Sequence, residues 1–293
     1  MQAPIHPDNA AQAEYWRGAG GVRWSERQDY HDRVLRPVTD LLLEAAGALR
    51  GERVIDIGCG GGAMTAEIAA RVAPNGEAVG LDISDVLLSL ARRRAPAHLP
   101  IRFDHADAMV HELPPAGADL VVSRFGVMFF ADPARAFANL RKGLRAGGRL
   151  TFACWREARL NAFMVVPLRE ALKHAPPLPA TGPEDPGPFS FADEARVRRI
   201  LGAAGFAEVR VTPHELVLDV ALGEGLDAAV AAAISVGPTS RMLLDQSEAV
   251  RAAAAADIRA ALAPHARGEA VPLKAAVWII MARNPAAQPP PAP

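Results

Sequence analysis

The stretch VIDIGCGGGAMTAEIA, residues 54–69, ends a short apolar run on Asp56 and follows it with Gly58, Gly60 and Gly62 in alternation. Glycines at a strand-to-helix turn let backbone approach a ligand seated at the helix N-terminus. That arrangement suits a nucleotide-like molecule. A second acid, Asp82, closes the next apolar run twenty residues beyond Gly62, where a carboxylate accepts hydrogen bonds from both ribose hydroxyls. Gly58, Gly60 and Ala63 alone also satisfy the loose dinucleotide pattern G-x-G-x-x-A. Asp56 tilts the balance, because a carboxylate facing the turn repels a pyrophosphate and attracts an ammonium group.

Only a parallel sheet brings these residues to one edge. Apolar runs at 53–57, 77–83, 101–106, 118–125 and 147–155 alternate with helical patterns at 63–72, 86–94 and 132–144. Such alternation predicts a sheet covered by helices on both faces. Asp132 and Pro133 read as the start of the third of these helices, and Gly147 as its stop. Beyond Trp155 the pattern changes. A helix near 160–174 leads into a proline- and glycine-rich loop, then a helix over 193–206 with Gly205 as its cap. A strand over 207–220, an alanine-rich helical insert over 223–263 and a last strand over 271–283 follow. At the front, Tyr30, Val34, Val38, Leu41, Leu42 and Ala45 recur at helical spacing between Ser25 and Leu49. The expected organisation is a helical N-terminal lid or arm over 1–50 and a ligand-binding domain over 51–283. Cap elements near 156–192 and 221–268 belong to that domain, and a tail over 284–293 is disordered by composition.

The segments VIDIGCGGG (54–62), GLDIS (80–84), HADA (105–108), DLVVSRFGVMFF (119–130) and GLRAGGRLTFACW (143–155) together resemble the class I S-adenosylmethionine-dependent methyltransferases. Within them the chain looks most like the type 11/25 branch that includes ubiquinone and menaquinone biosynthesis enzymes. The resemblance implies an α/β, Rossmann-like sandwich whose seven-stranded, mostly parallel sheet has an antiparallel last strand. It implies S-adenosyl-L-methionine as methyl donor and S-adenosyl-L-homocysteine as product. Asp56 and Gly58 would lie near the methionine moiety, with Gly60 and Gly62 shaping the turn. Asp82 would hold the ribose and Ile83 would pack on the adenine. Asp107 would take the adenine amino group, while Ala108 offers a backbone N–H to the ring. Ser123 and Arg124 would line the cofactor near the methyl group.

The arm AEYWRGAGGVRW (13–24) concentrates aromatic residues in a chain that is only 5% aromatic. Tyr15 and Trp16 precede a glycine-rich bend and Trp24 opens the next helix, which reads as a lid that closes on the cofactor and excludes water. The acceptor is expected over the ends of the fourth and fifth strands, near Arg124, Phe125, Met128, Phe129, Trp155 and Arg156. Tyr15, Tyr30, His31 and His214 complete the candidates for that pocket. Methyl transfer from a sulfonium is an in-line displacement that mainly needs alignment and loss of water. His31 and His214 are the candidate general bases, and the catalytic group stays unassigned.

The net charge of −1 argues against nucleic acid as the main partner. So does SRFG (123–126), which stands where amide-base methylases carry Asn/Asp-Pro-Pro-aromatic, and no Pro-Cys pair marks a cytosine-C5 enzyme. A small, partly apolar acceptor is expected instead. The pair Cys59 and Cys154 supports no disulfide framework, and MQAPIHPDNA lacks the regions of a signal peptide. No apolar run reaches about 18 residues. A cytoplasmic monomer or homodimer without stable membrane insertion is the expectation. His105, Asp107 and His111 have metal-like spacing but no further ligand cluster, so a metal-free site is expected. An NAD-dependent oxidoreductase and a non-catalytic S-adenosylmethionine-binding module are the alternative functions.

Overall fold

Four consecutive residues, Val54 to Ile57, are buried on both faces of their strand, and the whole architecture follows from covering them. The computed structural model describes residues 4–179 and 182–285. Four short helices come first: α1 (Ala10–Arg17), α2 (Ala19–Glu26), α3 (Gln28–Val34) and α4 (Arg36–Ala46). Then β1 (Arg53–Ile57), α5 (Ala63–Val72), β2 (Glu77–Asp82), α6 (Asp85–Arg94), β3 (Ile101–His105) and β4 (Ala118–Arg124) alternate. They are followed by α7 (Pro133–Gly143), β5 (Leu144–Trp155), α8 (Ala162–Ala171), α9 (Glu194–Ala203) and β6 (Ala207–Asp219). The insert α10 (Gly225–Ser235), α11 (Gly237–Leu243) and α12 (Glu248–Leu262) precedes β7 (Pro272–Arg283).

The strands form one seven-stranded sheet in the order β3-β2-β1-β4-β5-β7-β6. The pairs from β3 through β5 are parallel, and β7 runs antiparallel to both β5 and β6. This is the Rossmann-like sandwich that the motifs implied. Strand order reverses between β1 and β4, and a crevice opens at the carboxyl ends of strands at such a point. In α4, Val38, Leu42, Leu43 and Ala46 are buried against the sheet, each leucine contributing roughly 1.5–3 kcal/mol. Helices α8, α11 and α12 share a small core of their own, Ala171, Ala175, Met242, Leu243 and Ala254. The two cap elements are therefore packed together. Among the described residues, no helix is long and apolar enough to cross a membrane.

Four local expectations are corrected. The continuous helical pattern from Ser25 to Leu49 is divided, because Pro37 lacks an N–H and its ring clashes with the carbonyl four residues back, so α3 ends before it. The glycine-rich bend after Trp16 is mostly helix: Gly18 alone separates α1 from α2, and Gly20 and Gly21 lie inside α2. A Cβ on Gly21 would collide with the Trp16 carbonyl and the Ser84 hydroxyl, so the glycine lets α2 press onto the start of α6. Trp24 consequently sits late in α2 instead of opening a helix. Gly147 does not end α7, because Leu144 already turns extended and pairs with Ala118. Gly147 belongs to the irregularity before Arg149 rejoins the ladder. Finally, the tail does not begin at 284. The Asn284 side chain donates to the carbonyls of Leu144 and Arg145 at 2.8 and 3.1 Å, and its backbone pairs with Gly147 and Gly148. Residues 286–293 of that expectation lie outside the described residues.

Candidate active site

At the end of β1 the chain must turn sharply, and Gly58 does so with φ +65°. A Cβ there would stand 2.7 Å from the Cα of Gly126, so backbone meets backbone across the crevice and only glycine fits. Asp56, on the strand just before, is 1% exposed. Thr65 of α5 donates to its Oδ2 at 2.7 Å, while Oδ1 is buried without a partner. Burial pushes this carboxyl up to about 7, against the opposing pull of the Thr65 bond and the Arg124 charge.

Asp82 ties the turn to the next unit. Its Oδ2 accepts from the N–H of Gly60 and its Oδ1 from the N–H of Ser84, both at 2.8 Å. Burial raises its pKa, and these backbone donors oppose the rise. Ser84 caps α6 by accepting from the N–H of Leu87. Asp107, beyond β3, is 2% exposed. It accepts from the backbone N–H of His6 and Met109 and from Asn9 Nδ2, at 2.9–3.0 Å. The N-terminal arm thus docks on the third acid.

These groups border one cavity of about 260 Å³. Its polar end holds Asp56, Gly58, Gly60, Asp82 and Asp107, with Ile83 and Ala108 beside them. Its remaining lining is largely apolar: Phe125, Met128, Phe129 and Trp155 border it, with Tyr30 and His31 from the arm, while Trp24 Nε1 lies 3.9 Å from where a Cβ on Gly60 would stand. Phe125 takes a left-handed φ of +69° and stacks on Trp155 with centroids 4.2 Å apart. A non-glycine residue in that conformation is strained, a state that packing must hold. The Tyr30 hydroxyl donates to the carbonyl of Val220 at 3.1 Å, and burial raises its pKa above the usual phenol range. The pKa of His31 is pushed down to about 4, first by burial and then by the Arg124 charge. Neither ring nitrogen has a hydrogen-bond partner among the described residues. Arg124 borders the cavity too, donating to Thr39 Oγ1 at 2.7 Å and pairing with Asp32 at 3.3 Å.

Five sequence candidates stand elsewhere. Ser123 is wholly buried behind the cavity wall: its hydroxyl donates to the Ile57 carbonyl and accepts from the N–H groups of Gly126 and Val127. A hydroxyl under a strand end needs those partners, and they leave it holding the turn after β4. Gly62 begins α5 against Phe103 and Ala91, on the far side of the turn. Tyr15 faces away from the cavity, between the guanidinium groups of Arg23 and Arg241 at 5.9 and 5.3 Å from its ring. His214 pairs with Val277 on β6, the margin of the sheet, away from the cavity. Arg156 lies over the Trp278 ring at 4.7 Å.

Other lining residues escaped the sequence. The arm adds Asn9, Gln12 and Gln28, single polar residues that read as surface on an amphipathic helix. The cap adds Phe163 and Met164 of α8 and the small residues Ala229, Ala232 and Ala233 of α10. The alanines of DAAVAAA (227–233) were visible as a small-residue run, a signal for close packing but not for a pocket. Among the described residues, no three His, Cys, Asp or Glu side chains are grouped to hold a metal ion.

Residues 54–148 match the family described as "Methyltransferase domain". Over 119 residues the chain is 38% identical to the demethylmenaquinone methyltransferase of Thermus thermophilus, covering 40% of this chain and 52% of that one. Over 129 residues it is 35% identical to the trans-aconitate 2-methyltransferase of Afipia carboxidovorans, covering 43% and 48%. Its fold is similar to that of phosphoethanolamine N-methyltransferase 2 of Haemonchus contortus, solved in complex with S-adenosyl-L-methionine. There the TM-score is 0.58 and the identity 16%, over 96% of this chain and 60% of that one. The chain spans about half the length of these curated relatives. The resemblance drawn from the motifs is present in these comparisons, and neither alternative function finds support in them.

Proposed function

We propose that this protein transfers a methyl group from S-adenosyl-L-methionine to a small, partly apolar acceptor, leaving S-adenosyl-L-homocysteine. The observation that carries this reading is the buried, partnerless Oδ1 of Asp56 beside the Gly58 turn. A buried acceptor without a donor is costly, and the ammonium group of the methionine moiety supplies one. In this reading Asp82 takes the ribose hydroxyls with the lone pairs that its two backbone donors leave free, and Ile83 and Ala108, which also line the cavity, flank the adenine. When bound, the sulfonium supplies an electrophilic methyl group.

The rest is the work of this chain's own residues. Trp24, Tyr30 and His31 roof the cavity and exclude water. Phe125, Met128 and Trp155 align an apolar acceptor by contact, and Arg124 supplies a positive charge beside it. His31 is neutral at physiological pH because of its burial; it adds no charge to the roof, and so low a pKa makes it a weak proton acceptor. The reading includes a cytoplasmic setting, supported by two free cysteines.

The test is a transfer assay with methyl-labelled S-adenosylmethionine and fractionated small-molecule extract of the host, with Asp82→Ala alongside. One labelled product that disappears in the variant is the expected result. If the native protein also fails to bind S-adenosylhomocysteine, the reading is wrong.

A further inference from the structure

The N-terminal arm carries two carboxamides whose orientation is dictated by their neighbours. Asn9 and Gln28 are each 4% exposed, and both border the cavity. Asn9 Nδ2 donates to Asp107 Oδ1 at 3.0 Å, and Gln28 Nε2 donates to Asp32 Oδ1 at 2.8 Å. An ionised carboxylate only accepts, so each amide must turn its NH2 group to the acid and its carbonyl oxygen away. Both carbonyl oxygens, Asn9 Oδ1 and Gln28 Oε1, are then buried without a partner. Native interiors rarely leave such acceptors empty, and here two stand on one arm at one cavity.

Asp107 sharpens the case for Asn9. Its carboxylate already accepts from His6, Met109 and Asn9 itself. The acid that the resemblance assigns to an adenine amino group is already engaged by the arm at both oxygens, and beside it the Asn9 carbonyl has no partner at all. Gln28 lies on the glycine turn: a Cβ on Gly61 would meet its Cδ at 2.6 Å.

Resting on the function proposed above, we infer that Asn9 and Gln28 are cofactor-binding residues. Asn9 Oδ1 accepts a hydrogen bond from the exocyclic amino group of the adenine. Gln28 Oε1 accepts one from an N–H or O–H donor of the cofactor that lies along the glycine turn. The arm thereby closes on the cofactor, and the acceptor meets a site that is already roofed.

Calorimetric titration of the native protein, Asn9→Ala and Gln28→Ala tests this with three ligands. They are S-adenosylhomocysteine, its 6-oxo (inosyl) analogue and 5′-methylthioadenosine. Each variant is expected to bind S-adenosylhomocysteine about tenfold more weakly. Asn9→Ala is also expected to lose most of the native preference for adenine over the 6-oxo base, which a merely structural role would leave intact. With 5′-methylthioadenosine, a persisting loss in Gln28→Ala identifies a ribose hydroxyl as the donor, and a vanished loss identifies the ammonium group. Melting curves without ligand check each fold, and Asn9→Leu and Gln28→Met replace any alanine variant that does not fold. Unchanged S-adenosylhomocysteine affinity in the variants, or unchanged base preference in the Asn9 variant, overturns the inference and leaves the function standing. No binding by the native protein overturns both.

Discussion

The imidazole of His31 lies flat on the indole of Trp24, with ring centroids 3.8 Å apart and planes 9° from parallel. The two rings come from successive helices, α3 and α2, and form one plate over the cavity. Because α2 is held close to α6 by Gly21, the plate is fixed to the domain and not only to its own arm.

This stack makes stability sensitive to acid. His31 titrates near 4 in the folded protein and near 6.5 when unfolded, so the unfolded chain binds more protons between those values. Its contribution is therefore lost as pH falls through that window. His31→Phe keeps a flat ring on Trp24 and lacks the proton. Comparing urea unfolding at pH 7 and pH 4.5, the native protein is expected to lose up to about 3 kcal/mol relative to the variant. Parallel pH dependence of the two proteins would count against a buried neutral imidazole.

Asp56 has the opposite sign. Its carboxyl titrates near 7 when folded and near 3.8 when unfolded, so the folded chain holds a proton that the unfolded chain has released. Stability falls as pH rises from 3.8 to 7. Asp56→Asn removes that loss and is expected to be up to about 4 kcal/mol more stable than the native protein at pH 8, with a smaller gain at pH 5. The native carboxylate, once ionised, attracts the ammonium of S-adenosylhomocysteine, so native affinity should fall about fivefold or more from pH 8 to pH 6. A pH-independent affinity in the native protein would place that ammonium elsewhere.

Asp32 is the knot between arm and sheet. It meets Arg124 at 3.3 Å, Arg94 at 2.9 Å and Gln28 Nε2 at 2.8 Å. The Arg124 side chain is only 12% exposed, so Asp32→Ala leaves a largely buried charge with Thr39 as its remaining partner. A loss of about 3 kcal/mol in chemical unfolding is expected, with faster proteolysis inside the four N-terminal helices. A change within 0.5 kcal/mol, about the scatter of surface substitutions, would mean that the arm is held by its apolar contacts alone.

The apolar end predicts a separation of binding from transfer. Ala233 of α10 borders the cavity from the cap, an element that contributes none of the three acids. Ala233→Phe should lower transfer to the acceptor about tenfold or more while leaving S-adenosylhomocysteine affinity nearly unchanged. Equal losses in both would put α10 over the cofactor instead.

The sheet was legible because strands buried on both faces of a parallel sheet write themselves as short apolar runs, as RVIDI and ADLVVSR do. The acids and glycines were legible because a turn at the switch point restricts what can stand there. Side-chain destinations were less so. Ser123 and Arg124 are neighbours on β4 and point to opposite faces, so one disappears under the turn and the other reaches the cavity. Tyr15 and Trp16 are successive positions of one helix, and only Trp16 borders the cavity. Asn9 meets Asp107 across 98 residues of chain. Nothing local distinguishes it from a solvated asparagine at a helix start.

The last of the described strands, β7, lies inside the sheet, between β5 and the marginal β6. Before residues 272–283 leave the ribosome, β6 has no β7 to pair with, and β5 shows its outer edge. A nascent polypeptide in that state exposes two unpaired strand edges, which are templates for sticking to other chains. Release of β7 seals both at once. Synthesis stalled just short of it should leave a species dependent on chaperones, although its glycine turn and three acids are already made.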